Sequence, residues 1–320
     1  MPRATALAWS AVLAASAAIA ATDLSLTSGD AEFFRHVGGR LVSGDWLRTY
    51  ADPAVQAGPL ELLPFGLAPL AVVAVVLQVV GTWAVVATVA RLLRGRGLPA
   101  PWVIVAVGLA ALVLDLPHSA VASGHPAQLF VPLLWLLAGL DVRDGRLQRA
   151  AVLVALSAGF ETWGLLGVAV FALAPHARPA IVAACGALAG GALLYLPIVL
   201  GGSFSMLDYA WTVNGGTLMS LVLGPGAAFP WSLRVLQAAA ALAAGVGVAV
   251  ALRRTTHALA ASLAALVAVR LVLDPVSYSW YWVAFQTLVL AAVAELATSP
   301  RGRALVARSR RRARMPISQA

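Results

Sequence analysis

The sequence predicts an all-α protein: a polytopic transmembrane helical bundle of about eight to ten membrane segments with a long first extracytoplasmic loop. Three observations lead there. Hydrophobic residues make up 61% of the 320 and charged residues only 11%, far outside the range of soluble domains. Apolar runs long enough to cross a hydrocarbon core of about 30 Å recur along the chain. Every basic side chain other than histidine is an arginine, and most stand in short clusters between apolar runs or in the C-terminal tail, where membrane orientation is set. The net charge of +9 therefore speaks of topology and not of nucleic acid. Cys185 is the single cysteine and excludes an intrachain disulfide.

The arginines decide the sides. Arg3 precedes a first span over 5–21. Its Ala-rich core and small-residue end also resemble a secretory signal; a retained span is expected from the family resemblance given below, and the loop after it has to lie outside. A second span over 63–90 runs into Arg91, Arg94 and Arg96. Spans 101–116 and 126–140 form a hairpin with the tip LPHSAVASGHP outside and Arg143, Arg146 and Arg149 inside. One continuous helix over 150–174 would cross once and put Arg178 outside, whereas two short half-spans turning at 159–164 cross twice and keep it inside; the paired half-spans are expected. Such half-spans need shielding from lipid by neighbours. Spans 180–200 and 232–252 enclose a second large outer loop and end at Arg253 and Arg254. Spans 257–273 and 281–297 meet at the outer turn DPVSYSW. One transmembrane unit, 1–300, is followed by a basic cytoplasmic tail, 301–320. Both termini are cytoplasmic in this scheme, in the inner or plasma membrane.

The stretch from Gly29 to Pro69 is the one part of the first hundred residues that lipid cannot accept. It carries Asp30, Glu32, Asp45, Asp52 and Glu61 with Arg35, Arg40 and Arg48, rimmed by Phe33, Phe34, Trp46 and Tyr50. About forty residues is long for a connection, and long loops in compact proteins usually carry function. The same outer side collects Asp115, His118, His125, Gln128, Glu161, Asp208, Asn214 and Asp274. Ionisable groups near a membrane are costly and mark a pathway or site. Arg234 and Arg270 break the inside bias, each about one turn from an outer helix end. Snorkelling to the interface is one reading, and bidentate binding of a lipid phosphate is the other. Trp211, Trp231, Trp280 and Trp282 fit an interfacial belt.

Motifs of soluble enzymes are absent. The chain has no glycine-rich phosphate loop, no paired cysteines and no zinc-type histidine pair; His118 and His125 are too loosely spaced to be a metal site. No cofactor is expected, with a divalent ion left open. A donor already carried in the membrane is.

The order of these features resembles the GT-C superfamily of integral-membrane glycosyltransferases, most closely the actinobacterial-type polyprenol-phosphate-mannose-dependent α-mannosyltransferases. Asp30, Phe34, Gly44 and Tyr50 stand in the order of that family's first outer loop, and GPLELLPFGLAPL is similar to its Pro-rich entry to the second span. Gly124-His125 through Gly145-Arg146 to Phe160 resembles its middle hairpin. DPVSYSWYW, Asp274 to Trp282, resembles its late outer turn, which includes Tyr278. Glu161 stands where the family typically has a lysine, and Trp280 where a histidine usually precedes the tyrosine, Tyr281.

The resemblance implies transfer of a sugar, mannose by preference, from a polyprenyl-phosphate donor to an envelope lipid or glycan acceptor on the extracytoplasmic face, with inversion. Asp30 is then the general base, with Glu32 as the alternative, and Arg270 or Arg234 meets the phosphate. Arg35, Tyr50, His118, His125, Glu161, Asp208, Asp274 and Tyr278 are the expected substrate-binding residues. Donor, acceptor and membrane lipids are the expected partners, without nucleic acid. Two other classes stay open at this point: a transporter or flippase for a lipid-linked or small polar substrate, and a non-catalytic membrane subunit.

Overall fold

The structure, a computed structural model, describes residues 2–22 and 29–299; the expected basic tail lies outside the described residues. The chain begins with α1 (Arg3–Thr22), α2 (Gly29–Leu41), α3 (Pro59–Leu67) and α4 (Leu70–Leu92). Then come α5 (Ala100–Val113), α6 (Leu116–Ala122), α7 (Ala127–Arg143) and α8 (Leu147–Phe160). A 3-10 helix, Thr162–Leu173, leads to α9 (Ala177–Leu193) and α10 (Leu196–Gly201). The chain closes with β1 (Ala210–Thr212), α11 (Leu218–Leu223), β2 (Ala228–Pro230), α12 (Trp231–Leu252), α13 (Ala258–Val272) and α14 (Trp282–Ala297).

Among the described residues, four helical stretches are long and apolar enough to cross a membrane: α1, α4, α12, and α14 with the turn before it, Ser279–Ala297. The pair α5 and α6 makes a fifth across a 42° bend. Large apolar side chains stand exposed on these helices, among them Trp83, Leu109, Val235 and Val293. Faces of that kind belong against lipid and not water. The chain is therefore a largely helical membrane protein.

α7 is the axis of the bundle. Leu129, Val131, Trp135, Leu136 and Ala138 are wholly buried on it, and a helix apolar all round belongs inside. Around it pack α4, α6, α8, α13, α14 and the 3-10 helix. Small and hydroxyl side chains let helices approach where lipid supplies no hydrophobic drive. Ser16 of α1, for example, bonds the Thr82 hydroxyl of α4 at 2.7 Å.

Four expectations are corrected in detail. The stretch 29–69 is not an open loop but two packed helices and a 3-10 turn, Trp46–Arg48. Ala31, Phe34 and Val37 give α2 a buried stripe at helical spacing, and it lies along α3. The span expected over 63–90 is broken before Pro69, which caps α4, because proline removes a donor and unseats the residue before it from α conformation. The tip 116–126 is largely helical, as α6, whose start is set by left-handed Asp115 (φ 55°) and by Pro117 in its first turn. The second outer loop contains an antiparallel two-stranded ribbon, with Trp211 opposite Phe229, in a chain otherwise expected to be all-α.

The stretch 150–174 breaks at Glu161, whose φ of −147° and ψ of 150° are extended. The Ser157 hydroxyl and the Trp135 indole N–H both donate to the Gly164 carbonyl, at 2.9 and 2.8 Å, folding the 3-10 helix back on α8. Those bonds satisfy a carbonyl that a continuous helix would have used itself. At about 2.0 Å per residue, a 3-10 helix of this length reaches about 24 Å, close to the height of α8. Arg178 then lines a hollow with Gly145, Leu147 and Gln148, so the chain has returned to the end from which α8 set out.

That end belongs to the arginines. Asp141, fully buried on α7, lies 2.5 Å from Arg91, 2.9 Å from Arg146 and 3.0 Å from Arg149. Arg143 meets buried Glu295 at 3.2 Å and donates to the Thr256 carbonyl at 3.1 Å. Arg91, Arg143, Arg146, Arg149 and Arg178, read from sequence as one side of the membrane, thus share one end of the bundle, where two interior carboxylates tie the first four. Asp141→Asn is expected to destabilise the protein by on the order of 3 kcal/mol, since it leaves converging cations without their shared anion. Arg149→Gln, at the exposed edge of the array, is expected to cost much less. Thermal unfolding in detergent measures both.

Candidate functional site

At the opposite end of α7 the chain gathers Asp30, Glu61 and Glu161. The geometry starts from backbone. Gly58 N–H donates to the Phe160 carbonyl at 2.6 Å, and Ala57 pairs with Glu161 in an antiparallel bridge. A side chain at Gly58 would strike the Gly159 carbonyl, and it would also lie 2.8 Å from the Tyr195 hydroxyl. This contact docks the start of α3 onto the break after α8. Gly124 (φ +80°) makes a second close approach, because a Cβ there would lie 2.8 Å from Ala31 N at the start of α2.

The two approaches bring four titratable side chains together. His125 Nε2 lies 3.2 Å from Asp30 Oδ2, and His125 Nδ1 lies 4.0 Å from Glu161 Oε1. Gln128 Nε2 donates to Glu161 Oε1 at 3.4 Å, and the Trp163 indole N–H donates to its other oxygen. Glu61, fully buried on α3, accepts the Ala127 N–H at 3.2 Å. Burial first, and the facing Glu161 carboxylate second, push the Glu61 carboxyl well above the usual carboxylate range. Asp30 behaves oppositely. The hydrogen bond from His125 holds its carboxyl below the usual range, against the effect of partial burial.

Aromatic rings wall the cluster. Trp280 stacks on His125 at 5.8 Å and Tyr278 on Trp280 at 4.6 Å, while Phe34 meets His125 edge-on at 5.2 Å. The Arg270 guanidinium lies 4.4 Å from the Trp163 ring centre and 5.8 Å from that of Tyr281. Its Nη1 is buried without a hydrogen-bond partner among the described residues. Arg234 is engaged otherwise, bonding Asp274 at 2.9 Å beneath the Trp211 ring.

Of the residues singled out from sequence, Asp30, His125 and Glu161 thus meet directly. Arg270 joins them through Trp163, and Tyr278 through Trp280. Asp274 and Arg234 form a separate ion pair held by Gln237. Glu32 and Arg35 pair with each other on the exposed face of α2. Tyr50 is wholly buried and donates to the Ala57 carbonyl at 3.0 Å, so it props the docking segment. Asp208 is exposed in the turn Met206–Asp208, and His118 is half-buried on α6. Glu61 and Gln128 stand out in the sequence only as polar residues of the outer side, with no role assigned, and Trp163 was missed as a site residue. The spacing of Glu61 and Gln128 from proline-initiated helix starts was visible, but the docking that buries them was not. His125 also groups with two glutamates and not with His118: ligand atoms of Glu61, His125 and Glu161 lie within 4.8 Å of one another.

Folding lowers the Asp30 pKa, so the Asp30–His125 pair adds stability above the unfolded carboxylate value of about 3.9. That stability is lost as pH falls through the lowered folded value. Carboxyl carbon NMR is expected to show Asp30 titrating below the ordinary range, and titrating higher in His125→Phe. Comparison with protein-family models, with curated proteins and with solved structures found no match for the chain, and the reading of this site rests on its own geometry.

Proposed function

We propose that the protein is a membrane-embedded glycosyltransferase that moves a sugar from a polyprenyl-phosphate donor to a lipid or glycan acceptor. In this reading α7 and the shorter apolar helices α8, α9, α13 and the 3-10 helix cross the bilayer with the longer ones, within the expected eight to ten segments. The arginine end is cytoplasmic by the positive-inside rule, and the acidic end opens on the extracytoplasmic face. Mannose is the favoured sugar on the resemblance of the motifs alone.

The observation that carries the reading is a half-exposed carboxylate and a buried guanidinium with an unpartnered Nη1 in one aromatic-walled cluster. Asp30, about half exposed, is fixed through one oxygen by His125 and keeps the other for an incoming hydroxyl. It accepts the acceptor's proton as the acceptor oxygen bonds to the anomeric carbon. The bond from that carbon to the phosphate oxygen breaks, and its electron pair leaves with the polyprenyl phosphate. Arg270, held by Trp163 and Tyr281, faces the charge that develops on that phosphate. Its planar fork matches phosphate oxygens bidentately. Tyr278, 40% exposed at the end of its stack, offers a ring face to the sugar.

Purified protein incubated with radiolabelled polyprenyl-phosphate sugars and envelope lipid acceptors tests this. Asp30→Asn is expected to lower transfer by about 10²–10⁴-fold, the usual share of a general base. Glu32→Gln, on the exposed pair, is expected to leave it near wild type. Absence of product from the wild-type protein with every donor, or full activity in Asp30→Asn, overturns the reading.

A further inference from the structure

Beyond the transfer reaction, and independent of it, the same end of the bundle has an excess of lone pairs. Glu61 Oε2 and Gln128 Oε1 belong to fully buried side chains and find no partner among the described residues. His125 Nδ1 is buried and equally unpartnered. Donation from Nε2 to the Asp30 carboxylate leaves Nδ1 as the nitrogen with which the neutral ring would accept. That acceptor then faces Glu161 Oε1 at 4.0 Å, too far for a hydrogen bond and unfavourable for two facing lone pairs. Two ligands held about 2.0–2.2 Å from one ion stand up to about 4.4 Å apart. At 4.0 Å the two atoms lie within that reach.

We propose that Glu61, His125 and Glu161 bind a divalent transition-metal ion, with Gln128 Oε1 beside them as a further oxygen donor. The arrangement has the parts such sites use. A histidine ligand typically gives its second N–H to a carboxylate, which fixes the tautomer and orients the ring, and Asp30 stands in that position. Gln128 and Trp163 donate to Glu161 and orient it in turn. One imidazole with carboxylate and carboxamide oxygens suits Mn²⁺ or Zn²⁺ better than Mg²⁺ or Ca²⁺, which favour oxygen alone. A cation would also offset the mutual repulsion of Glu61 and Glu161. The competing arrangement is a proton in place of the ion, on Glu61 or on His125 Nδ1.

The test is direct binding, with no sugar transfer in the readout. Chelator-stripped protein in detergent is dialysed against Mn²⁺ or Zn²⁺, and bound metal is counted by mass spectrometry. About one ion per chain is expected for the wild type and for Glu32→Gln, with affinity at least tenfold weaker in Glu61→Gln and in Glu161→Gln. Thermal unfolding of each variant shows that it is folded. No stoichiometric binding of either ion by wild type overturns the proposal in favour of a proton in place of the ion. Unchanged binding in both folded glutamine variants overturns it as well, by placing the ion elsewhere.

Discussion

The candidate site depends on one backbone contact, between the segment before α3 and the break after α8. Gly58 N–H on the Phe160 carbonyl and the Ala57–Glu161 bridge join two stretches about a hundred residues apart in sequence. The Tyr50 hydroxyl on the Ala57 carbonyl and the Tyr195 hydroxyl on the Ala158 carbonyl, at 3.0 and 2.8 Å, brace it from either side. Without this contact Glu61 would have no reason to be buried, Glu161 no fixed direction, and His125 no second carboxylate. A helix that stops in an apolar environment leaves backbone groups that must be satisfied inside the protein. Here the groups freed at the break are used to hold the partner segment.

A second constraint sorts charge to the ends of α7. Ionised groups in the middle of a bundle in lipid would each cost several kcal/mol unless paired. At one end Asp141 and Glu295 neutralise the arginines. At the other the balance is reversed, with Asp30, Glu61 and Glu161 against His125 and Arg270. Between the ends α7 presents only apolar side chains and Trp135, whose one polar atom is spoken for by Ser157 and Gly164. The polarity of the bundle is thus built in by a few residues on one central helix.

Much of this was legible from the sequence, and the parts that were not share a cause. Asp30, His125 and Glu161 stood out because polar residues in an apolar chain need a reason, and arginine parity demanded a turn near Glu161. The helical stripe Ala31, Phe34 and Val37 was also open to view, yet the density of charge around it made the segment read as a loop. Arg234 and Arg270 look alike by position. Only the partners differ, Asp274 for one and aromatic faces for the other. Tyr50 fits the order of the resembling motif but is buried away from the cluster, because order along the chain says nothing of which way a ring packs. Glu61 was one acidic residue among five in its stretch, and its burial comes from a contact between distant segments that no local pattern encodes.

The docking contact can be tested without reference to activity. The bridge places Ala57 and Glu161 opposite each other. With the Gly58 bond running to the preceding residue, theirs is the close, non-hydrogen-bonded type of pair, with Cα atoms about 4.5 Å apart, within disulfide range. In a background with Cys185→Ala, the pair Ala57→Cys and Glu161→Cys is expected to cross-link under mild oxidation in native membranes, blocking both thiols from a maleimide-polymer label. Two thiols that stay fully labelled after oxidation, in folded protein, would contradict the arrangement on which the whole site stands.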